Sequence, residues 1–204
     1  MITKISQNNQ IINIEVKQPT LRYIQEFLDL KCRDDLLKTG WYNNAKEITE
    51  SMAIFNAFRK YIWKYLENLN PLIWVIGDGV YPRTAGLFVF RTPYWVVSID
   101  PQLRIPSYLH TFESIKRLIC IKSKIEEIKE NNIFKLFDIF ILVFCHSHAS
   151  IVKSVITLKR FCKKFYIISM PCCVPDDLPI LPFKSYEDYG VFSIKRTINL
   201  YRLT

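Results

Sequence analysis

A buried strand that ends in a glycine turn is the feature that most constrains how this chain can fold. Residues 72–76 form an apolar run, LIWVI, and the sequence then changes abruptly to Gly77-Asp78-Gly79. Pro82 stands where a first helical turn would begin, because its fixed φ and missing N–H cost nothing there. A second apolar strand follows and ends at Asp100. The order of strand, turn, helix and strand predicts a βαβ unit.

Such a unit has a defined way of binding a nucleoside. In the Rossmann-like form, glycines let the backbone approach the ligand, and the free N–H groups at the helix start favour its anionic part. The acid that ends the second strand accepts hydrogen bonds from ribose hydroxyls, and Asp100 is placed for this role. Arg83 and Thr84, at the helix start, could contact a carboxylate or phosphate, although helix capping explains Thr84 equally well.

These residues carry a resemblance to a known family. Gly77-Asp78-Gly79 resembles the first glycine motif of class I S-adenosylmethionine-dependent methyltransferases, and Asp100 resembles their ribose-binding acid. The resemblance implies S-adenosylmethionine as cofactor, with the turn against its methionine part. Asp78 would substitute for an acid that the family usually carries at the position of Val75, or it would be only a turn residue that bonds its own backbone. The alternative is a plain Rossmann-like turn with no ligand.

The rest of the chain predicts the same fold class. Alternating strands and helices favour an α/β, Rossmann-like, doubly wound and mostly parallel sheet with an antiparallel C-terminal edge, preceded by two helices. We expect a single domain over 1–204, with an arm and covering helices in 1–70 and the methyltransferase-like core in 71–204. The helices are expected at 20–40, 44–68, 82–89, 125–137 and 151–161. A short helix or connection is expected at 109–116, and a closing hairpin or strand pair at 190–203.

The apolar segments of the sequence indicate where in the cell the protein is located. The N-terminal residues lack the apolar stretch of a signal peptide, and the longest apolar run, Ile139 to Cys145, is far below the roughly 20 residues that span a bilayer. These features predict an intracellular protein, cytoplasmic or nuclear, with no membrane partner and with reduced cysteines.

The net charge points to an anionic partner. It is +9, and residues 71–204 carry eighteen basic against eleven acidic side chains. A basic surface suits RNA, through neutralisation of phosphates, or it serves only solubility. A protein partner is the other option that we consider.

Histidines and cysteines follow two further predicted strands. Cys145, His146 and His148 follow the run at 138–144, and Cys172 and Cys173 follow the run at 165–169. His146 or His148 could act as a general base or position the acceptor. Zinc is a second option, although adjacent cysteines are an unorthodox spacing, and no metal ligand is assigned from the sequence.

Two options remain for the same residues. Cys145 and Cys172 resemble the placement of the two functional cysteines of cytosine-5 RNA methyltransferases, which implies nucleophilic catalysis. The fourth option is that all of them are small buried residues at crowded strand ends. We therefore predict a methyltransferase, with RNA as the first substrate to test. The alternative function is a catalytically inactive methyltransferase-like fold that serves as a nucleotide-binding or protein-interaction module.

Overall fold

One seven-stranded sheet organises the chain. The computed structural model describes residues 2–7, 10–15, 20–104 and 113–203. The nine strands, in chain order, are β1 (Ile2–Gln7), β2 (Gln10–Glu15), β3 (Pro71–Ile76), β4 (Trp95–Ile99), β5 (Leu118–Ile121), β6 (Ile139–Cys145), β7 (Phe165–Met170), β8 (Lys184–Glu187) and β9 (Thr197–Leu203).

The strand order confirms the predicted fold class. The sheet runs β5-β4-β3-β6-β7-β9-β8, and β1 and β2 form a separate antiparallel pair. Strands β3 to β7 are all parallel to their neighbours within that group, whereas β9 runs antiparallel to both β7 and β8. The chain moves outward from β3 to β5 and then returns to β6 on the other side of β3. This reversal is the switch point at which open α/β sheets bind ligands.

Among the described residues, five α-helices cover the sheet. They are α1 (Arg22–Leu28), α2 (Arg33–Lys38), α3 (Ala45–Tyr61), α4 (Arg83–Arg91) and α5 (Ile151–Leu158). One face of the sheet packs against the cluster that contains α1, α3 and α4, and the other packs against α5 and residues 125–134. Within the described residues, none of the helices has both the length and the apolar character to cross a membrane.

The continuous apolar runs form the central strands because both faces of the sheet are covered. All six residues of β3 and all six of β7 are buried, as are the first six of β6. Strands buried on both sides do not alternate between apolar and polar residues. The predicted strands at 72–76, 138–144 and 165–169 are therefore confirmed, with shifts of one residue at their ends, and the strand predicted to end at Asp100 is β4.

The helical region before β3 differs from the prediction. In the described part of residues 1–70, three α-helices precede the core instead of two, because the segment expected as one helix from Thr20 to Gly40 breaks after Leu28. The Arg33 guanidinium donates to the Leu28 carbonyl at 2.8 Å, which satisfies a backbone acceptor at the break. Asn44 caps α3 through its side chain, as the position of the predicted start implies, but α3 ends at Tyr61 and not near Asn68.

Two later predictions are corrected. Residues 125–137, all of them described, form two 3₁₀ turns, Ile125–Glu127 and Asn132–Leu136, instead of an α-helix. The Asn131 side chain accepts from the Ile133 N–H at 3.1 Å and starts a second turn there. The closing antiparallel pair starts at Lys184 and not at 190. Of the connection expected over 109–116, residues 109–112 lie outside the described part.

Candidate functional site

Four strand ends meet at one edge of the sheet. The glycine turn follows β3, Asp100 follows β4, and the segments 146–148 and 171–173 follow β6 and β7. Strands β6 and β7 are direct neighbours, with Cys145 opposite Met170, and the His146 N–H donates to the Met170 carbonyl at 2.9 Å. The two Cys/His segments therefore follow neighbouring strands of the sheet.

The glycine turn is held in a conformation that favours glycine. Gly77 and Gly79 have φ angles of 73° and 85°, in the left-handed region. A Cβ atom on Gly77 would lie 2.2 Å from the Ser147 Oγ, so the turn also needs glycine for the close approach of the next loop. A Cβ on Gly79 would meet nothing nearer than the Arg83 Nη2 at 3.7 Å.

Asp100 links the second strand to this turn. Its Oδ2 accepts from the Gly79 N–H at 3.0 Å, and its Oδ1 accepts from the Gln102 N–H at 2.7 Å. The side chain is partly exposed. A carboxylate has about four lone-pair positions, so Asp100 can accept further bonds from a ligand.

A cavity of about 630 Å³ lies over these strand ends. Its wall includes both turn glycines, Asp100, Gln102 and the segment 146–150. This volume falls within the range typical of small-molecule sites. A larger cavity of about 730 Å³ lies beside α1 and β8 and contacts none of these strand ends, so the smaller one is the candidate site by position.

Asp78 faces away from the cavity wall. Its two carboxylate oxygens accept from the backbone N–H groups of Thr84 and Ala85 at 3.0 and 3.1 Å, and Oδ2 also accepts from the Ser98 hydroxyl at 3.0 Å. Burial raises its pKa to about 6, although these hydrogen bonds act in the opposite direction. The carboxylate thus accepts from free N–H groups in the first turn of α4. The assignment of Asp78 as a cofactor ligand stays a prediction.

Arg83 and Thr84 also turn toward the covering helix. Arg83 forms an ion pair with Glu47 of α3, and the Thr84 hydroxyl lies 3.1 Å from the Ser51 hydroxyl. Neither residue belongs to the wall of the candidate cavity. Their assignment as cofactor ligands stays a prediction.

His146 lies in the cavity wall and meets an acid that the sequence did not reveal. Its backbone has a φ of 53°, and its Nε2 lies 3.1 Å from the Glu50 Oε1. Both side chains are largely buried, at 16% and 10% exposure. The distance is that of an ion pair, but the two atoms are not aligned for a hydrogen bond, and neither has another aligned partner among the described residues.

Cys145 is the last residue of β6 and is partly buried. Burial, together with the nearby carboxyls of Glu50 and Asp78, raises the pKa of its thiol. A thiol held in its protonated form is a poor nucleophile, so this environment disfavours Cys145 as a covalent catalyst.

His148, Cys172 and Cys173 come together at the rim of the cavity. The His148 Nε2 lies 3.1 Å from the Cys172 Sγ and 3.2 Å from the Cys173 Sγ, and the two sulfurs are 3.5 Å apart. Partial burial acts to raise the pKa of Cys172, but hydrogen bonds from the backbone of Cys173 and Val174 and from neighbouring side chains outweigh it and lower the pKa to about 6. Although the two cysteines are adjacent in the sequence, both of their sulfur atoms lie close to the same nitrogen of His148.

One acid fastens the two segments of this cluster to each other. The Asp177 Oδ1 accepts from the N–H groups of Ile151 and Val152 at 2.9 and 3.1 Å, and its Oδ2 accepts from the Ser150 hydroxyl. Asp177 follows Cys173 by four residues, and α5 begins three residues after His148. The loop after β7 is thus tied to the helix that follows β6.

Comparison with solved structures gives distant matches. The plantazolicin methyltransferase BpumL in complex with SAH aligns with 74% of this chain, at 13% identity and a TM-score of 0.39. The Burkholderia thailandensis 1,6-didemethyltoxoflavin-N1-methyltransferase aligns with 98% of this chain and 81% of its own, at 14% identity and a TM-score of 0.40. MtNAS in complex with MTA and tNA aligns with 90% of this chain and 69% of its own, at 10% identity and a TM-score of 0.47.

The match to BpumL spans 58% of that protein, which is less than two thirds of its length. No protein-family model matches the chain, and no curated protein sequence does. At such identities and scores, the assignment of a function rests on the geometry of the site.

Proposed function

We propose that this protein binds S-adenosylmethionine in the cavity over the strand ends and transfers its methyl group to an acceptor. The observation that carries the proposal is that the turn glycines and Asp100 line one cavity at the switch point of the sheet. The glycines allow close approach to the methionine part of the cofactor, and the Asp100 carboxylate accepts from the ribose hydroxyls.

His146 serves the acceptor in this proposal. It lies in the wall of the same cavity, and its Nε2 faces Glu50 at 3.1 Å. Transfer of a methyl cation to a hydroxyl or ring nitrogen releases a proton, which His146 takes as a general base. Because Nε2 faces the carboxylate, Nδ1 receives this proton, and Glu50 stabilises the imidazolium that forms.

RNA is the acceptor that we propose. The chain carries a net charge of +9, and two exposed lysines, Lys124 and Lys153, lie at the cavity wall, where they would meet phosphates. Transfer of a labelled methyl group from S-adenosylmethionine to total RNA, and not to protein or small-molecule extracts, is the expected result. If protein or small molecules became labelled and RNA did not, RNA would be rejected as the acceptor, but the proposal of methyl transfer would stand.

Calorimetry with purified protein tests the cofactor site first. We expect S-adenosylmethionine and S-adenosylhomocysteine to bind, and Asp100→Ala and Asp100→Asn to weaken binding roughly ten- to hundredfold, as loss of hydrogen bonds to a charged group implies. Asp100→Asn retains an oxygen for the Gly79 N–H, so it separates the loss of charge from disruption of the turn. Asp35→Ala, at a half-exposed acid on α2, is the matched control and should bind normally.

The outcomes divide the candidate functions. No binding of either ligand to folded protein would overturn the proposal. Binding without transfer to any acceptor class would instead favour the inactive nucleotide-binding module.

A further inference from the structure

Three potential metal ligands converge where the loops after β6 and β7 meet. The ligand atoms of His148, Cys172 and Cys173 all lie within 4.8 Å of one another. We propose that these three side chains bind one Zn²⁺ ion, with the fourth coordination position open.

The distances suit a tetrahedral ion with little rearrangement. Zinc bonds of about 2.0–2.3 Å in tetrahedral geometry require ligand atoms about 3.6–3.8 Å apart. The separations in the cluster are 3.1, 3.2 and 3.5 Å. Shifts of a few tenths of an ångström in the three ligand atoms would therefore bring their separations to the values that zinc requires. His148 and Cys173 are exposed, so an ion can reach the site from solvent.

The scaffold holds the ligands without the metal. The β6 and β7 strands are paired up to Cys145 and Met170, directly before the two ligand loops. The His146 N–H bond to the Met170 carbonyl extends this pairing by one residue, and Asp177 ties the second loop to the start of α5. A site prepared in this way loses little conformational entropy when it binds an ion.

The donor set favours zinc with an open position. Thiolate and imidazole are ligands of borderline-soft metals, and two cysteines with one histidine are the protein ligands of one type of catalytic zinc site. In the part of the chain that the structure describes, no fourth His, Cys, Asp or Glu joins the group. Because His148 also lines the candidate cavity, the open position lies at its rim and is available to water or to a donor atom of a ligand.

Metal analysis of the reduced full-length protein tests this site. After incubation with Zn²⁺ and removal of the excess, we expect one zinc per chain. Cys172→Ser, Cys173→Ser and His148→Ala should each weaken zinc binding by more than about a hundredfold, a greater loss than changes outside the ligand shell cause. Cys120→Ser is the matched control, because Cys120 lies on the edge strand β5 and not on β6 or β7, and it should retain full zinc.

A second measurement does not depend on the folding of the variants. Wild-type protein loaded with Co²⁺ should show thiolate-to-metal charge transfer and the visible bands of a tetrahedral ion. Absence of these bands, or zinc binding that survives all three ligand substitutions, would overturn the proposal. Both measurements use the metal alone, without cofactor or acceptor, so their outcome is independent of methyl transfer.

Discussion

Two glycines in one turn allow backbone strain and steric contact to be separated. Gly77→Ala and Gly79→Ala both place a side chain at positive φ, which costs roughly 1–2 kcal/mol. Only Gly77→Ala also drives a Cβ against Ser147, and we expect a further loss of roughly 1–3 kcal/mol from this overlap. Urea unfolding of the two variants measures the difference, and equal losses would show that the Ser147 loop yields without cost.

The role of a single residue could be predicted from the sequence where that role depends on its neighbours along the chain. The turn glycines are recognisable because an apolar strand ends on them, and Asp100 because it ends the next strand. The role of Glu50 could not be predicted, since it is a charged residue within a helix, and its partner His146 lies 96 positions later. In the sequence, the adjacency of Cys172 and Cys173 is an unorthodox spacing for two ligands of one zinc ion. The folded loop nevertheless brings both sulfurs toward His148.

The start of α5 depends on an acid from another loop. Asp177→Ala removes the acceptor of two backbone N–H groups at this helix terminus, and Ser150 remains as the other cap. We expect a loss of about 1 kcal/mol in the free energy of unfolding, typical of a lost N-terminal cap. Zinc affinity should fall as well, because the loop that carries Cys172 loses its tie. Thermal unfolding and metal titration measure the two effects, and unchanged stability would contradict the capping role.

The pH dependence of that effect has a defined sign. Partial burial acts to raise the pKa of Asp177, but its bonds to Ser150, Val152 and Ile151 prevail and leave the pKa below its ordinary value. The stabilisation is therefore present above the unfolded-state pKa of about 4 and is lost as the pH falls through the folded-state pKa. The difference between wild type and Asp177→Ala should shrink below about pH 4. A difference that grows on acidification would contradict this.

Elements with one strong pattern were predictable, and elements with competing patterns were not. The runs that became β3, β6 and β7 read as strands because continuous burial permits only apolar residues. Residues 125–137 offered apolar residues at helical spacing, but Asn131 bonds a nearby N–H and interrupts the helix. On α3, the burial of Thr49 could not be predicted, because its hydroxyl accepts from the Phe192 N–H, which lies 143 positions later in the chain.

A buried acid joins the covering helices to the antiparallel edge of the sheet. Asp188 accepts from Tyr23 at 2.5 Å, from Arg22 at 2.8 Å and from the Gly190 N–H at 3.0 Å. Asp188→Ala leaves the buried Tyr23 hydroxyl without this acceptor, and we expect a loss of roughly 2–3 kcal/mol in the free energy of unfolding. Tyr23→Phe removes one hydrogen bond while the carboxylate keeps its other donors, so its cost should be nearer about 1 kcal/mol.

Urea unfolding of both variants provides the measurement. The half-exposed acid Asp35 serves as control, and Asp35→Ala should leave stability unchanged within about 0.5 kcal/mol. If Asp188→Ala were as mild as the control, α1 would be held to the sheet by apolar contacts alone.

The Tyr23–Asp188 bond also bears on the order in which the protein assembles. The two residues are 165 positions apart, so a ribosome releases α1 long before its partner carboxylate exists. Closing so long a loop is entropically costly, and contacts of this separation slow folding. During synthesis, therefore, Phe27 of α1 can already pack against Tyr42, but Tyr23 cannot reach Asp188 until β7 and β8 have emerged. The nascent chain should be most exposed to aggregation and to chaperones during that interval.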